Sequence, residues 1–334
     1  VKAAVTNEQH GFDVVDVPDR APAADELVIR VAACGVCGSD IKAQPFAPPG
    51  MVMGHELGGE VVAIGSDVGG WTQGMNAAVL PVISCGTCAY CKAGAVPHCA
   101  QVQYIGMGPA GGSPSTPPCP RATLSPYLPS YQALSPHSSN RSQSACTGST
   151  TPRSSPAMAC SSPGRAVSGL TTLAWARQKG AARVTVADPD SDRRNTALAL
   201  GATDALSAVT EAEPGAYGAA IECVGRPELV QSCQPALRPQ GRLVIAGACA
   251  EPTVVEPIAA LLKELTIRYS VAYRPDEFVE VITAFATGAI DPMPMVGPTF
   301  GLDGIAEAFD AVRGAQVQGR VLVSPADSGV TARS

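Results

Sequence analysis

The sequence contains no apolar run approaching the ~18 residues that a membrane-crossing helix needs, no charged-then-apolar leader and no tract of clustered Lys and Arg. The first two absences argue against a bilayer span and a secretory route, so cytoplasmic residence is expected. The third argues against nucleic acid or an anionic membrane as the main partner, as does a formal net charge of -6. No Asp or Glu occurs between Asp67 and Asp188. What remains is a 334-residue chain, 46% hydrophobic, with enough apolar material for about two stable domains.

Twelve cysteines in a chain of this length, with no leader, point to metal rather than to disulfides. Cys85, Cys88, Cys91 and Cys99, in "CGTCAYCKAGAVPHC", follow the spacing C-x2-C-x2-C-x7-C. Four thiolates on one short loop can close a tetrahedron around Zn2+ with no open position, which is the mark of a structural site. His98 is left out because Cys99 completes the set. Upstream, "CGVCGSD" (34–40) and "GHELGGEVVAIG" (54–65) offer Cys37, His55 and Glu56. One soft and two harder ligands leave a fourth position for water or substrate, the pattern of a catalytic ion. A lone Cys and a lone His are by themselves ordinary core residues. The glycines around them and the cysteine loop that follows favour the metal.

In the second half, "VSGLTTLAWARQKG" (167–180) has helical apolar spacing and "ARVTVAD" (182–188) reads as a strand ending in Asp. That is the second half of a dinucleotide-binding unit, and further strands are expected at 219–225, 241–247 and 265–270. Asp188 stands where a carboxylate accepts hydrogen bonds from the adenosine ribose and repels a 2'-phosphate, so NAD is favoured over NADP. Arg193 and Arg194 soften that preference, since either can face a phosphate or simply solvate a helix.

On these ordered motifs the chain resembles, over nearly its whole length, the zinc-dependent alcohol dehydrogenases of the medium-chain dehydrogenase/reductase superfamily. The resemblance implies an α/β protein in two domains. A GroES-like, mostly β catalytic domain takes residues 1–148 and 287–334, with the structural zinc loop at 85–99. A Rossmann domain with a doubly wound parallel sheet takes 149–286, and the active site is expected in the cleft. By the same resemblance Cys37 and His55 bind catalytic zinc, Glu56 is a further or alternating ligand, and Ser39 receives the alcohol proton. The implied cofactors are two Zn2+ per subunit and NAD(P), the substrate is a small alcohol or polyol, and the chain is a homo-dimer or homo-tetramer. The Cys-His-Glu set suggests the branch of sorbitol, butanediol and other polyol dehydrogenases. Lys42 occupies the place of a His that often relays the proton outward, and Met75-Asn76 replaces a usual Asp-Arg. Phe46 and Trp71 suit a hydrophobic cleft and ordinary core equally.

The expected glycine-rich turn before Val167 is missing: the residues there are "AMACSSPGRA", leaving Gly164 and Gly169 as cofactor-binding candidates. Residues 113–166 hold 14 Ser and 10 Pro among 54 positions and no acid. A Ser/Pro linker of that length inside a compact enzyme conflicts with loop-length expectation. Translation one base out of frame accounts for the segment. Back-shifting permits Phe-Ala-Glu-Tyr-Ala at 113–117, Glu-Pro-Leu-Ala-Val-Gly-Val-His-Gly at 140–148 and Gly-Asp-Gly-Val-Leu-Val-Ala-Gly-Ala-Gly at 157–166. All three fit the resemblance, and the last restores a strand and G-x-G-x-x-G. Asn140 then stands in for a glutamate near the zinc, and Cys119, Cys146 and Cys160 carry no metal or redox meaning. Two rivals stand beside the dehydrogenase: a catalytically impaired zinc-binding protein, if the segment is real as written, and a zinc-free enone or quinone reductase of the same superfamily.

Overall fold

A computed structural model of the chain describes residues 1–19, 21–106, 122–124, 157–160, 166–249, 251–314 and 317–325. The chain divides into two compact units. In the first, β1 (Lys2–Thr6) and β2 (Phe12–Asp16) form an antiparallel ribbon. β3 (Leu27–Gly35) precedes the short helix α1 (Gly38–Ala43) and pairs antiparallel with β4 (Glu56–Ile64), which pairs in turn with β5 (Asn76–Ala78). Ile29 and Val61 are fully buried and pack with Leu27, Ala77 and Val79, so burial of their apolar side chains fixes the register of β3 on β4. That register places Gly35 opposite Glu56, so the segment leaving β3 meets the one entering β4. β6 (Val82–Ile83) and β7 (Gln103–Tyr104) pair at the base of the cysteine loop, which contains the single-turn helix α2 (Ala89–Lys92). β8 (Ala122–Leu124) adds to β3 at Leu27–Ile29.

The second unit is built on six parallel strands: β9 (Ala157–Cys160), β10 (Val184–Ala187), β11 (Asp204–Leu206), β12 (Tyr217–Glu222), β13 (Leu237–Ile245) and β14 (Thr266–Tyr269). Their order is β11-β10-β9-β12-β13-β14. Parallel neighbours require crossovers, here including α3 (Ala166–Gln178), α4 (Ser191–Ala199), α5 (Pro227–Ala236) and α6 (Pro257–Leu262). Strands covered on both faces read as continuous apolar runs, which is why all four residues of "VTVA" in β10 are buried. The order reverses between β9 and β12, the switch point at whose carboxyl ends such sheets bind ligands.

Several boundaries differ from the sequence expectation. The helix stops at Gln178, with Lys179 and Gly180 in a turn. "CVG" leaves the strand at 219–225 because the Glu222 carboxylate accepts the N–H groups of Val224 and Gly225, each at 2.7 Å, and curls the chain. The strand that the fold requires before α3 is formed by "AMAC" as written, hydrogen-bonded to both β10 and β12. Gly164, Pro163, Arg165, Asn140, Cys119 and Cys146 lie outside the described residues, as does most of the segment read as out of frame.

The chain then runs through α7 (Pro275–Ala286), β15 (Val296–Gly301), α8 (Ile305–Arg313) and β16 (Arg320–Ser324). β16 joins β15 in parallel and β3 in antiparallel fashion, completing the order β15-β16-β3-β4-β5. Ile305, Ala308 and Phe309 of α8 pack with Val321, Val323 and Val36. Tyr273–Thr283 belong to the first unit and Ala284–Met295 to the second, so the return begins before residue 287 and takes two steps. The division at 148 and 149 falls outside the described residues. Among the described residues no helix is long and apolar enough to cross a membrane.

Candidate active site

Cys37 occupies the N-cap of α1, with extended backbone angles of φ -94° and ψ 155°. Its N–H donates to Asp40 Oδ2 at 2.8 Å, one arm of a capping box that fixes the entry of the helix. β16 holds the preceding residue: Val36 N–H donates to Val321 O at 2.9 Å and Arg320 donates to Val36 O at 3.1 Å. His55 immediately precedes β4, whose first residue is Glu56. Gly54, just before it, runs against Gly106, its N–H donating to Gly106 O at 3.0 Å. Gly106 has φ +68°, and a Cβ there would lie 1.8 Å from Gly54 O, so only glycine permits this approach.

These constraints bring one donor atom each of Cys37, His55 and Glu56 within 4.8 Å of one another. Sulfur, imidazole nitrogen and carboxylate oxygen at that spacing fit a divalent ion such as zinc. His55 is buried, and its Nδ1–H donates to Oδ1 of Asp40, 3.1 Å away and itself 1% exposed. That bond selects the tautomer whose Nε2 lone pair is free for a metal. Nε2 lies 3.5 Å from Ser39 Oγ. Glu56 Oε2 is paired with Arg320 Nε at 3.1 Å. Lys42 is exposed in the last turn of α1.

The side chains of the cluster are electrostatically coupled. Burial and the Glu56 charge push the Cys37 thiol up, but its hydrogen bond with His55, the Arg320 charge and Ser39 together leave it below the ordinary thiol value. Burial disfavours the His55 imidazolium, yet Asp40 and Cys37 outweigh it and carry the group to about 10. Cys34, by contrast, is pushed up to about 12, chiefly by burial and then by Asp40. The Tyr273 phenol is raised to about 12 by burial and by the charges of Glu56 and Cys37, which puts its ring in the field of the same site.

The donor atoms of Cys85, Cys88, Cys91 and Cys99 also lie within 4.8 Å of one another. A tetrahedral ion with Zn–S of about 2.3 Å separates its sulfurs by about 3.8 Å. Cys85 and Cys91 are 3.9 Å apart and Cys88 and Cys91 3.5 Å, so the cluster fits zinc closely. Cys99 Sγ accepts N–H groups from Cys85 and Gln101, each at 3.3 Å. Backbone N–H groups of Thr87 and Cys88 hold Cys85 down to about 6, whereas desolvation lifts Cys91 to about 11. His98 faces the Tyr90 ring instead, with centroids 6.1 Å apart.

In the second unit, Asp188 follows β10 and is fully buried; its Oδ1 accepts the Asp190 N–H at 2.9 Å and lies 3.9 Å from Arg193 Nη1. Arg193 is also buried, with Nη2 3.7 Å from Asp190 Oδ2. Gly169 is buried in the first turn of α3, where a small residue lets helix and sheet approach. Phe46 is 86% exposed, and Trp71 packs against the Leu27 core cluster.

Sequence reading missed Asp40 and Arg320. Asp40 stands inside the quoted "CGSD", and an acid three residues after an N-cap is the one local signal that was available. Arg320 meets Glu56 only because β16 returns to β3, and no local pattern announces that.

The family model described as "Alcohol dehydrogenase GroES-like domain" matches residues 23–126, and that described as "Zinc-binding dehydrogenase" matches 168–287. The chain is 26% identical over 332 residues to a sorbitol dehydrogenase of Bacillus subtilis, covering 93% of each. It is 27% identical over 311 residues to an L-galactonate-5-dehydrogenase of Escherichia coli, covering 86% of this chain and 88% of that one. Among solved structures, a Sinorhizobium meliloti protein bound to NADP superposes with a TM-score of 0.78 at 27% identity, covering 97% of this chain and 99% of that one.

Proposed function

The chain belongs to the zinc-dependent alcohol dehydrogenases of the medium-chain dehydrogenase/reductase superfamily, and from that premise we propose that it oxidises a secondary alcohol or polyol reversibly to a ketone at Cys37, Ser39, His55 and Glu56. It is a zinc- and NAD(P)-dependent oxidoreductase of alcohols or polyols. The observation that carries the site assignment is the meeting of Cys37, His55 and Glu56 at one point. Cys37, His55 and Glu56 would hold a zinc ion that would supply Lewis acidity toward the alcohol oxygen, and a bound nicotinamide would supply the hydride acceptor. The protein's own part is positional and protonic. Asp40 holds Nδ1–H of His55, which would leave Nε2 as the metal-binding nitrogen. Ser39 Oγ, on the Nε2 side of the ring, accepts the alcohol proton. With Lys42 in place of a relay histidine, the proton leaves Ser39 for water. Cys85, Cys88, Cys91 and Cys99 hold the structural zinc.

The polyol class is supported by the relatives that act on sorbitol and galactonate. A homo-oligomer in the cytoplasm completes the proposal. β14 is a sheet edge, and Ile258, Leu261, Leu262, Tyr269 and Val271 are exposed on α6 and around that strand. The thiolate ligands need a reducing compartment. Assay of the purified protein on polyols, 2,3-diols and sugars with NAD and NADP tests the function: oxidation that stops on zinc removal supports it. Full activity of zinc-free protein or of Cys37→Ser on enones or quinones would establish the reductase instead. The frame reading of 113–166 is part of the same proposal, supported by three motifs recovered from one shift. Intact mass of the natural product decides it, a mass matching the literal chain counting against.

A further inference from the structure

Cofactor choice turns on the end of β10, and there the side chains divide their work differently from what the sequence suggests. The Asp188 carboxylate is fully buried and is occupied by the Asp190 N–H. Arg193, its side chain 5% exposed, lies 3.9 Å from Asp188 Oδ1 and 3.7 Å from Asp190 Oδ2. A buried guanidinium within 4 Å of two carboxylates is an internal counter-ion. It offsets the charge of one of them, which weakens the repulsion of a 2'-phosphate, and its own burial keeps it from gripping one.

Arg194 is placed the other way. It is half-buried, and its Nη1 donates to Asp188 O at 2.8 Å and to Pro189 O at 2.9 Å. Both carbonyls belong to the turn that follows β10, so the guanidinium sits beyond the strand end, where an adenosine ribose sits in sheets of this order. Nη1 is spent on the backbone. Among the described residues no hydrogen bond engages the Nε and Nη2 edge, which is the face that forks onto an oxyanion. The exposed Glu211 feels this charge, which helps to lower its carboxyl after the Ser207 hydroxyl and N–H.

We propose that Arg194 is the residue that recognises a 2'-phosphate, and that with Arg193 neutralising Asp188 the chain accepts NADP as well as NAD. The inference rests on the nucleotide-binding reading of the second unit and deepens it. It also assigns the two arginines separate roles, one structural and one specificity-determining, that adjacency in sequence does not distinguish.

The test is calorimetric titration of the full-length, zinc-loaded protein with adenosine 2',5'-bisphosphate and with adenosine 5'-monophosphate, a binding readout independent of turnover. Wild type is expected to bind the bisphosphate at least as tightly as the monophosphate. Arg194→Leu should weaken the bisphosphate about tenfold and leave the monophosphate within about twofold, as expected for loss of one charge-assisted contact. Glu211→Gln should strengthen the bisphosphate and not the monophosphate. The ratio of NADP to NAD in kcat/KM should move in the same directions. A bisphosphate affinity unchanged in Arg194→Leu, or a wild type that prefers the monophosphate by more than about thirtyfold, overturns the inference while the nucleotide site stands. Failure of both ligands to bind overturns the nucleotide reading, and the inference falls with it.

Discussion

Asp40 makes His55 a one-sided ligand. Its carboxylate takes the Nδ1 proton at 3.1 Å and anchors the Cys37 N–H at 2.8 Å, so one buried side chain orients two of the three proposed ligands. Asp40→Asn keeps the shape but supplies one acceptor instead of two and no charge. It should lower zinc affinity or kcat by about 10- to 100-fold, a range typical of outer partners of metal ligands. Zinc titration and steady-state kinetics check this, with a near-silent variant as the contrary result. The thiols make a second prediction. In zinc-stripped protein Cys37 is the more ionised, since its partners hold it below the ordinary value, while Cys34 at about 12 stays protonated at neutral pH. The thiolate is the nucleophile. Brief iodoacetamide treatment at neutral pH followed by peptide mass mapping should therefore modify Cys37 and spare Cys34, and zinc should protect Cys37. Cys37 and His55 were legible in the sequence through their glycine-flanked motifs. Asp40's second role was not, because it depends on β3–β4 pairing that brings residues 15 apart into contact.

At the scale of elements, legibility follows contiguity. The four cysteines lie on one loop, so spacing alone identified the cluster, and the sulfur separations of 3.5 and 3.9 Å suit its ion. The parallel strands were legible as apolar runs, and their ends were not, because ends are set by side-chain capping such as that of Glu222 on Val224 and Gly225. The crossing of the loop before β4 with the turn after β7 was equally invisible. It depends on Gly54 and Gly106, neither of which a sequence window relates to the other. Gly106→Ala forces a Cβ to 1.8 Å from Gly54 O at a positive φ. The strain should cost about 2–3 kcal/mol and lower Tm by roughly 5 °C. Displacement of His55 should also deplete the catalytic zinc while the cysteine cluster stays loaded. Differential scanning calorimetry and metal analysis of the same sample separate the two effects, and an unchanged Tm contradicts the account.

For the whole molecule, the proposed self-association rests on apolar exposure around α6 and β14, which is an edge strand among the described residues. Leu261 and Leu262 are 69% and 76% exposed on a helix that otherwise has nothing to cover them among the described residues. Leu261→Glu should shift the oligomer toward monomer in light scattering at micromolar concentration, with zinc content retained, whereas a wild type that is already monomeric removes the proposal. The central claim, however, is chemical: two separate thiolate-containing sites on one chain, a closed one at the cysteine loop and an open one at Cys37, His55 and Glu56. The most direct test is zinc stoichiometry with X-ray absorption at the zinc edge, on wild type and Cys37→Ser in parallel with the dehydrogenase assay. The account predicts two zinc ions per chain in wild type, loss of one together with activity in Cys37→Ser, and a remaining ion with four sulfur neighbours. A wild type holding only the four-sulfur ion, or a Cys37→Ser protein that keeps both ions and full activity, would contradict it.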